Sequence, residues 1–199
     1  MIETKVKEDR KTQILDAAFS VFVEKGYSET TMDDIVQESK MSKGAIYHYY
    51  DSKKELFLSL IDHWEIYSFP DFYSRGNKKK KASEILMNLS EVVLKVFKER
   101  KHVFLAEVEF WSLSNKDNDV KEKSRLLYNK LLYLFELILK KGIREKEFID
   151  MNTKIVAMTI LTSLQGINWF CIYEDSNVNA EDYLRTSMML LTKSLKRVS

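Results

Sequence analysis

Thr31-Met-Asp-Asp-Ile-Val-Gln-Glu-Ser39 and, after Lys40-Met41, Ser42-Lys-Gly-Ala-Ile-Tyr-His-Tyr-Tyr50 decide how this chain reads. Thr31 can cap a helix through its hydroxyl, and Asp34 stands three residues on as the capping-box partner. Asp33 and Asp34 both suit the positive end of that helix. Ile35, with Met32 and Val36, supplies an inward face. Ser42 caps a second short helix, expected from Lys43 to about Tyr49, with Ile46 and Tyr50 one turn apart and turned to the core. Ser52-Lys-Lys-Glu55 is a further capping box and opens a long helix carrying Leu56, Leu60 and Trp64. Three helix starts in some twenty residues mean small helices on tight turns, and the first two have the spacing of a helix-turn-helix.

Upstream, Ile14, Leu15, Ala18, Phe19 and Phe22 make one apolar stripe of a helix over about residues 8–25, which Gly26 stops. Downstream, Pro70 and Arg75-Gly-Asn-Lys-Lys-Lys-Lys81 read as a loop over roughly 70–80. The rest is helical: 85–97, 102–113, 120–141 closed by Gly142, 152–173, and 180–197, with a polar turn at 174–179. One proline and five glycines in 199 residues argue against turn-rich β folds. No apolar run approaches the ~18–20 residues of a membrane span, and the charged N-terminus is no secretory signal. The chain is expected to be cytoplasmic and not membrane-bound. The single cysteine, Cys171, excludes an internal disulfide framework and fits a small buried hydrophobe. The three histidines lie at no metal-ligand spacing, and no phosphate loop or nucleophile elbow is visible. No metal, cofactor or catalysis is expected.

A helix-turn-helix sets its second helix in the DNA major groove. Lys43 is the expected base reader, since lysine can donate to guanine O6 and N7. Gly44 and Ala45 let the backbone come close. Thr31, Tyr47, Tyr49 and Lys53 suit phosphates, with Ser42 and His48 completing the face. The net charge is only +2, yet residues 40–54 carry +3 and residues 1–39 carry −4. Any nucleic-acid surface must rest on that one edge.

Residues 10–56 resemble the N-terminal domain of the tetracycline-repressor (TetR) family of bacterial regulators. The likeness rests on Ile14-Leu-Asp-Ala-Ala-Phe19, Lys25-Gly26-Tyr27, Thr31–Ser39, Ser42–Tyr50 and Lys53–Leu56, in that order and at these spacings. Two departures stand out: Lys40 where the family usually turns on glycine, and Tyr50 where it usually has phenylalanine.

The resemblance implies an all-α chain with a three-helix DNA-binding domain at 1–54 and an effector-binding and dimerisation domain at 55–199. It implies a repressor that binds double-stranded operator DNA as a homodimer and is released by a small hydrophobic or aromatic effector. The switch would shift the helix that starts at Ser52. Candidate pocket residues are Trp64, Phe110, Trp111, Tyr128, Phe135 and Trp169. Candidate dimer residues on the last two helices are Met158, Leu161, Gly166, Tyr173, Met188 and Leu191. Glu107 and Glu109 sit in an apolar run, so a buried one needs a partner: a basic side chain of the protein, or a cationic ligand. Two other readings compete: a protein-interaction module with a degenerate helix-turn-helix, and a small helical enzyme.

Overall fold

The computed structural model describes the backbone of residues 2–68, 80–173 and 177–197, and the side chains of 9–65, 80–173 and 177–197. Among the described residues ten helices follow in order: α1 (Ile2–Glu29), α2 (Met32–Ser39), α3 (Lys43–Tyr47), α4 (Lys53–Ser68), α5 (Ala82–Glu99), α6 (His102–Ser114), α7 (Asn118–Arg144), α8 (Thr153–Gln165), α9 (Ile167–Ile172) and α10 (Ala180–Leu195). The only β pairing among the described residues is an isolated bridge between Phe148 and Lys196. The expected loop at 70–80, Pro70 included, lies outside the described residues except for its last position. The 174–179 turn is described only from Asn177.

The helices gather into two compact units. One comprises Met1–Trp64 with Leu105–Ser124; the other comprises Glu65–Phe104 with Arg125–Ser199. The chain crosses between them within α4, α6 and α7.

In the first unit the expected stripe is the core. Ile14, Leu15, Ala18, Phe19 and Phe22 of α1 are buried with Ile35, Ile46, Leu56, Leu60 and Trp64. Phe57 organises the aromatics, meeting Phe22 edge-on at 5.2 Å, Tyr27 at 4.7 Å and Phe110 at 5.4 Å between centroids. Such tilted and edge-on pairs suit the ring quadrupoles. Gly26 takes φ 77°, ψ 160°, and α1 bends there. Only glycine adopts that backbone without steric cost. Thr30 closes the bend, its hydroxyl donating to the Gly26 carbonyl at 2.7 Å.

In the second unit α5 packs along α10, burying Leu86, Leu89, Val93, Leu184 and Met188. The N-terminus of α5 is capped from a distance. Glu147 accepts from the amides of Ala82 (2.8 Å) and Ser83 (3.1 Å) and from the Ser83 hydroxyl. Midway along α5, Arg185 of α10 makes a two-pronged pair with Glu91 at 2.8 and 3.0 Å.

Three sequence expectations change here. Gly142 does not stop α7, which runs on to Arg144. A Cβ at 142 would lie 2.2 Å from the ring of Phe148, which is fully buried, so the glycine admits that ring. The turn that ends α7 instead uses Lys146 at φ 60°. The helix expected over 152–173 divides at Gly166, whose φ/ψ of −55°, −17° keeps it right-handed. A side chain there would meet the Tyr183 hydroxyl at 2.0 Å. Finally, Thr153–Ile172 spans 20 residues with a mean hydropathy of 1.6, long and apolar enough to cross a bilayer by length and composition. Counting uninterrupted apolar runs missed it because Thr159, Thr162, Ser163, Gln165 and Asn168 punctuate the stretch. One side of it is core (Ala157, Ile160, Leu161, Leu164), and the other leaves Ile155, Met158 and Trp169 exposed. Core helices of water-soluble proteins pass the same test of length and composition.

Gly142→Ala therefore forces a methyl into the Phe148 ring. It is expected to lower the unfolding free energy by about 1–3 kcal/mol, the usual cost of overpacking, in urea unfolding followed by circular dichroism. An unchanged midpoint would show that the ring moves aside freely.

Candidate nucleic-acid interface

The candidate interface is built by α2, α3 and the turns beside them. Thr31 caps α2 as its sequence implies. Its hydroxyl accepts from the Asp34 amide at 3.2 Å, while Asp34 accepts from the Thr31 amide and hydroxyl at 2.8 Å each. Lys25 reaches across from α1 to Asp34 at 2.7 Å. That ammonium, with the Thr31 amide and hydroxyl, holds the Asp34 carboxyl down to about 2. The Thr31 hydroxyl proton, expected for a phosphate, is thus already given to Asp34.

Between the helices, Lys40 adopts the left-handed conformation (φ 57°, ψ 23°), and its amide donates to the Gln37 carbonyl. The glycine-like turn is present with a lysine in it, at a cost on the order of 1–2 kcal/mol. Gln13 steadies the same turn from α1, donating to the Ser39 carbonyl at 2.8 Å.

Ser42 caps α3, accepting from the Ala45 amide at 3.2 Å. The helix is shorter than expected and ends at Tyr47, with His48 and Tyr49 in the following turn. Ile46 and Tyr50 face inward, 0% and 3% exposed. The extra hydroxyl of Tyr50 lies 3.3 Å from the Ser59 hydroxyl, so the departure from phenylalanine is accommodated. Burial pushes the Tyr50 phenol up. Lys43, Gly44, Tyr47 and His48 are exposed, and Ala45 and Tyr49 are half-buried. A Cβ at Gly44 would meet nothing within 4 Å. No packing among the described residues requires a glycine there.

The basic edge is distributed differently from its sum. Lys43 pairs with Asp33 at 2.7 Å, both well exposed, and this raises its pKa. Lys54 pairs with Asp117 and Asp119 at 2.7 Å each and joins the start of α4 to the α6–α7 turn. Those two carboxylates hold its pKa above the ordinary lysine value. Lys53 is the clearest correction. Its ammonium donates to the carbonyls of Tyr27 (2.7 Å), Ser28 (3.2 Å) and Thr30 (2.7 Å), and sits 4.6 Å from the Tyr27 ring centre. An ammonium has three hydrogens, and here each has a carbonyl. Lys53 anchors the α1–α2 connection, and no donor is left for a phosphate. Sequence spacing could not show this, because the carbonyls lie 23–26 residues away.

Residues 14–60 match the model of the bacterial regulatory proteins of the tetR family, and residues 67–196 match that of the QacR-like protein C-terminal region. The chain belongs to the TetR family. QacR of Staphylococcus aureus, an HTH-type transcriptional regulator, is 26% identical over 169 residues, 85% of this chain and 88% of that protein. Among solved structures, FadR of Bacillus subtilis in complex with stearoyl-CoA shares the fold with a TM-score of 0.78 at 18% identity, covering 92% of this chain and 98% of that one. A putative regulator of Saccharomonospora viridis in complex with choline has a TM-score of 0.81 at 15% identity, covering 96% and 100%. This TetR-family chain is therefore a helix-turn-helix transcriptional regulator, all-α, with a DNA-binding module at its N-terminus and a helical C-terminal region.

The candidate residues of the C-terminal region sort less simply. Trp64, Phe110 and Phe135 are buried and Tyr128 is half-buried. Trp111 and Trp169, expected in the pocket, are 39% and 58% exposed. Trp169 meets Tyr173 at the surface, ring centroids 4.5 Å apart and tilted by 42°. Of the dimer candidates, Leu161 and Met188 are buried in their own protomer's core, and Gly166 is half-buried where a side chain would meet Tyr183. Met158 and Tyr173 are exposed and Leu191 is half-buried. The sequence reading passed over Ile155 and Leu190, 64% and 58% exposed. Their signal was an apolar set out of phase with the core stripe of the same helix. Glu107 is buried and Glu109 half-buried, with a carboxylate oxygen 4.0 Å from where a Gly26 Cβ would stand.

Three outcomes are expected for the regulator's N-terminal module. Gly44→Ala should keep or raise stability, since alanine is the better helix former by roughly 0.5–1 kcal/mol, and should weaken DNA binding in a mobility-shift assay. Lys53→Met should lower the unfolding free energy by about 1–3 kcal/mol through the orphaned carbonyls, whereas Lys40→Met should not. The folded pKa of Asp34 lies below the ordinary aspartate value of about 3.9, so its contribution to stability is present above that pH and is lost as pH falls through about 2. In an NMR titration, Lys25→Ala should move the Asp34 midpoint up toward the ordinary value.

Proposed function

We propose that this regulator represses transcription by holding a pseudo-palindromic operator as a homodimer, and lets go when a small effector binds its C-terminal region. The reading rests chiefly on one observation: α3 is capped, exposed and carries Gly44 in open space beside Lys43. A face whose composition the protein's own packing does not explain is best explained by a surface that must meet it.

In this reading Lys43 leaves Asp33 and donates to a guanine edge. Ser42, Tyr47, His48 and Tyr49 meet the adjoining backbone and bases, Ala45 lies against the groove, and Lys40 adds charge at the turn. Thr31 and Lys53 hold this surface in place. Two half-sites about 34–36 Å apart require two protomers. The exposed apolar side chains Ile155, Met158, Trp169 and Leu190 form the face we assign to a second copy, joined by Tyr173. The effector we assign is small and hydrophobic or aromatic, received near Tyr128 and Phe135, which share a face of α7 seven residues apart. FadR with stearoyl-CoA and the Saccharomonospora viridis regulator with choline support a ligand-controlled reading. The site of action is the cytoplasm. The protein-interaction alternative loses ground because an interaction patch needs no glycine at 44.

The test is binding to DNA upstream of the chain's own gene, measured over a salt series. Affinity should fall by orders of magnitude between about 50 and 200 mM salt as phosphate counterions are released. Lys43→Ala should relax sequence preference. Salt-independent binding, or full preference retained by Lys43→Ala, would overturn the reading or the role of Lys43 respectively.

A further inference from the structure

Between the N-terminal half of α5 and the C-terminal half of α10, within the second unit, lies a groove of about 500 Å³. That is inside the ~300–1,000 Å³ range of small-molecule sites. Its apolar surface comes from Met87 and Met189, side chains that adapt to ligands of varied shape. Thr192 lines it and is 4% exposed; its hydroxyl is buried and has no hydrogen-bond partner. A buried hydroxyl left unpaired is costly, and native proteins rarely keep one without a use. At the α10 end the groove is lined by Lys193 and Lys196, both exposed, whose side chains make no ion pair among the described residues. Glu84 lines the groove on its α5 side, and both it and Glu147 are engaged by backbone amides. Glu84 accepts from the Lys81 amide, and Glu147 accepts from Ala82 and Ser83 at the α5 N-terminus.

We propose that this groove binds an amphipathic anion, its apolar body along Met87 and Met189 and its oxyanion head between Lys193, Lys196 and the Thr192 hydroxyl. Two cations and one hydroxyl donor at one end of a methionine-lined trough match a carboxylate on a short apolar chain. A cation of the same shape would meet two like charges. The site is separate from the aromatic set assigned to the effector, and none of Trp64, Phe110, Trp111, Tyr128, Phe135 and Trp169 lines it. None of Ile155, Met158 and Leu190 lines it either.

The experiment titrates the full-length protein, without DNA, with sodium decanoate below its micellar concentration, and in parallel with decyltrimethylammonium. Binding is followed by calorimetry and by NMR of the methionine methyl groups. Decanoate should bind and shift Met87 and Met189, and the cation should bind at least about tenfold more weakly. Lys193→Glu with Lys196→Glu should weaken decanoate about tenfold or more, the size expected for lost charge-assisted hydrogen bonds. Thr192→Val keeps the shape and removes the hydroxyl; it should weaken decanoate several-fold without lowering the melting temperature. No binding by the wild type would overturn the proposal. So would equal binding of the cation, or decanoate affinity unmoved by the lysine reversals, which would place the ligand elsewhere. Because no operator is present, such failure leaves the DNA reading untouched.

Discussion

The N-terminal module depends on one ammonium. Lys53 opens α4, yet its charge is spent on the carbonyls of residues 27, 28 and 30, where α1 has just bent at Gly26 and α2 is about to begin. Those carbonyls terminate one helix and precede the cap of the next, so they have no helical partners of their own. Fixing them sets where Thr31 stands, hence where α2 starts, hence where the Lys40 turn delivers α3. Lys25 to Asp34 ties the same junction from the other side. A cation gathering carbonyls is stronger than a neutral donor would be, and it does so from a residue that also begins the next helix.

What was legible in the sequence follows the range of the interaction. The Thr31–Asp34 box, the Ser42 cap and the stripes of α1 and α4 are set by residues within about a turn of one another, and they appear as expected; the helix expected to stop at Gly26 instead kinks there and runs on to Glu29. Lys53 was expected at a phosphate, and Lys54 entered only the local charge, because charge patterns do not say which partner a long side chain finds. One went to carbonyls 23–26 residues upstream, the other to Asp117 and Asp119. The same limit explains Gly142 and Gly166. Gly142 looked like a stop and Gly166 like a dimer contact, but Phe148 and Tyr183 are what they make room for.

The C-terminal region shows why helical periodicity cannot by itself assign an interface. The run over residues 153–172 has two apolar sides, and only packing decides which is core. Leu161 and Met188 went to the core. Ile155, Met158 and Trp169 did not, and apolar residues on both sides give that run a hydropathy more usual in a membrane segment.

The exposed side of α3 carries a further consequence. Lys43, Gly44, Tyr47 and His48 touch little of the protein, while Thr31, Asp34, Ile46, Tyr50 and Lys53 carry the folding of that corner. Folding and the reading we propose thus fall to different side chains on the same three turns. A lineage carrying this scaffold can exchange the letters it reads without re-solving how the module folds. Divergence among such regulators should therefore be fast on that outer face and slow at the junction behind it.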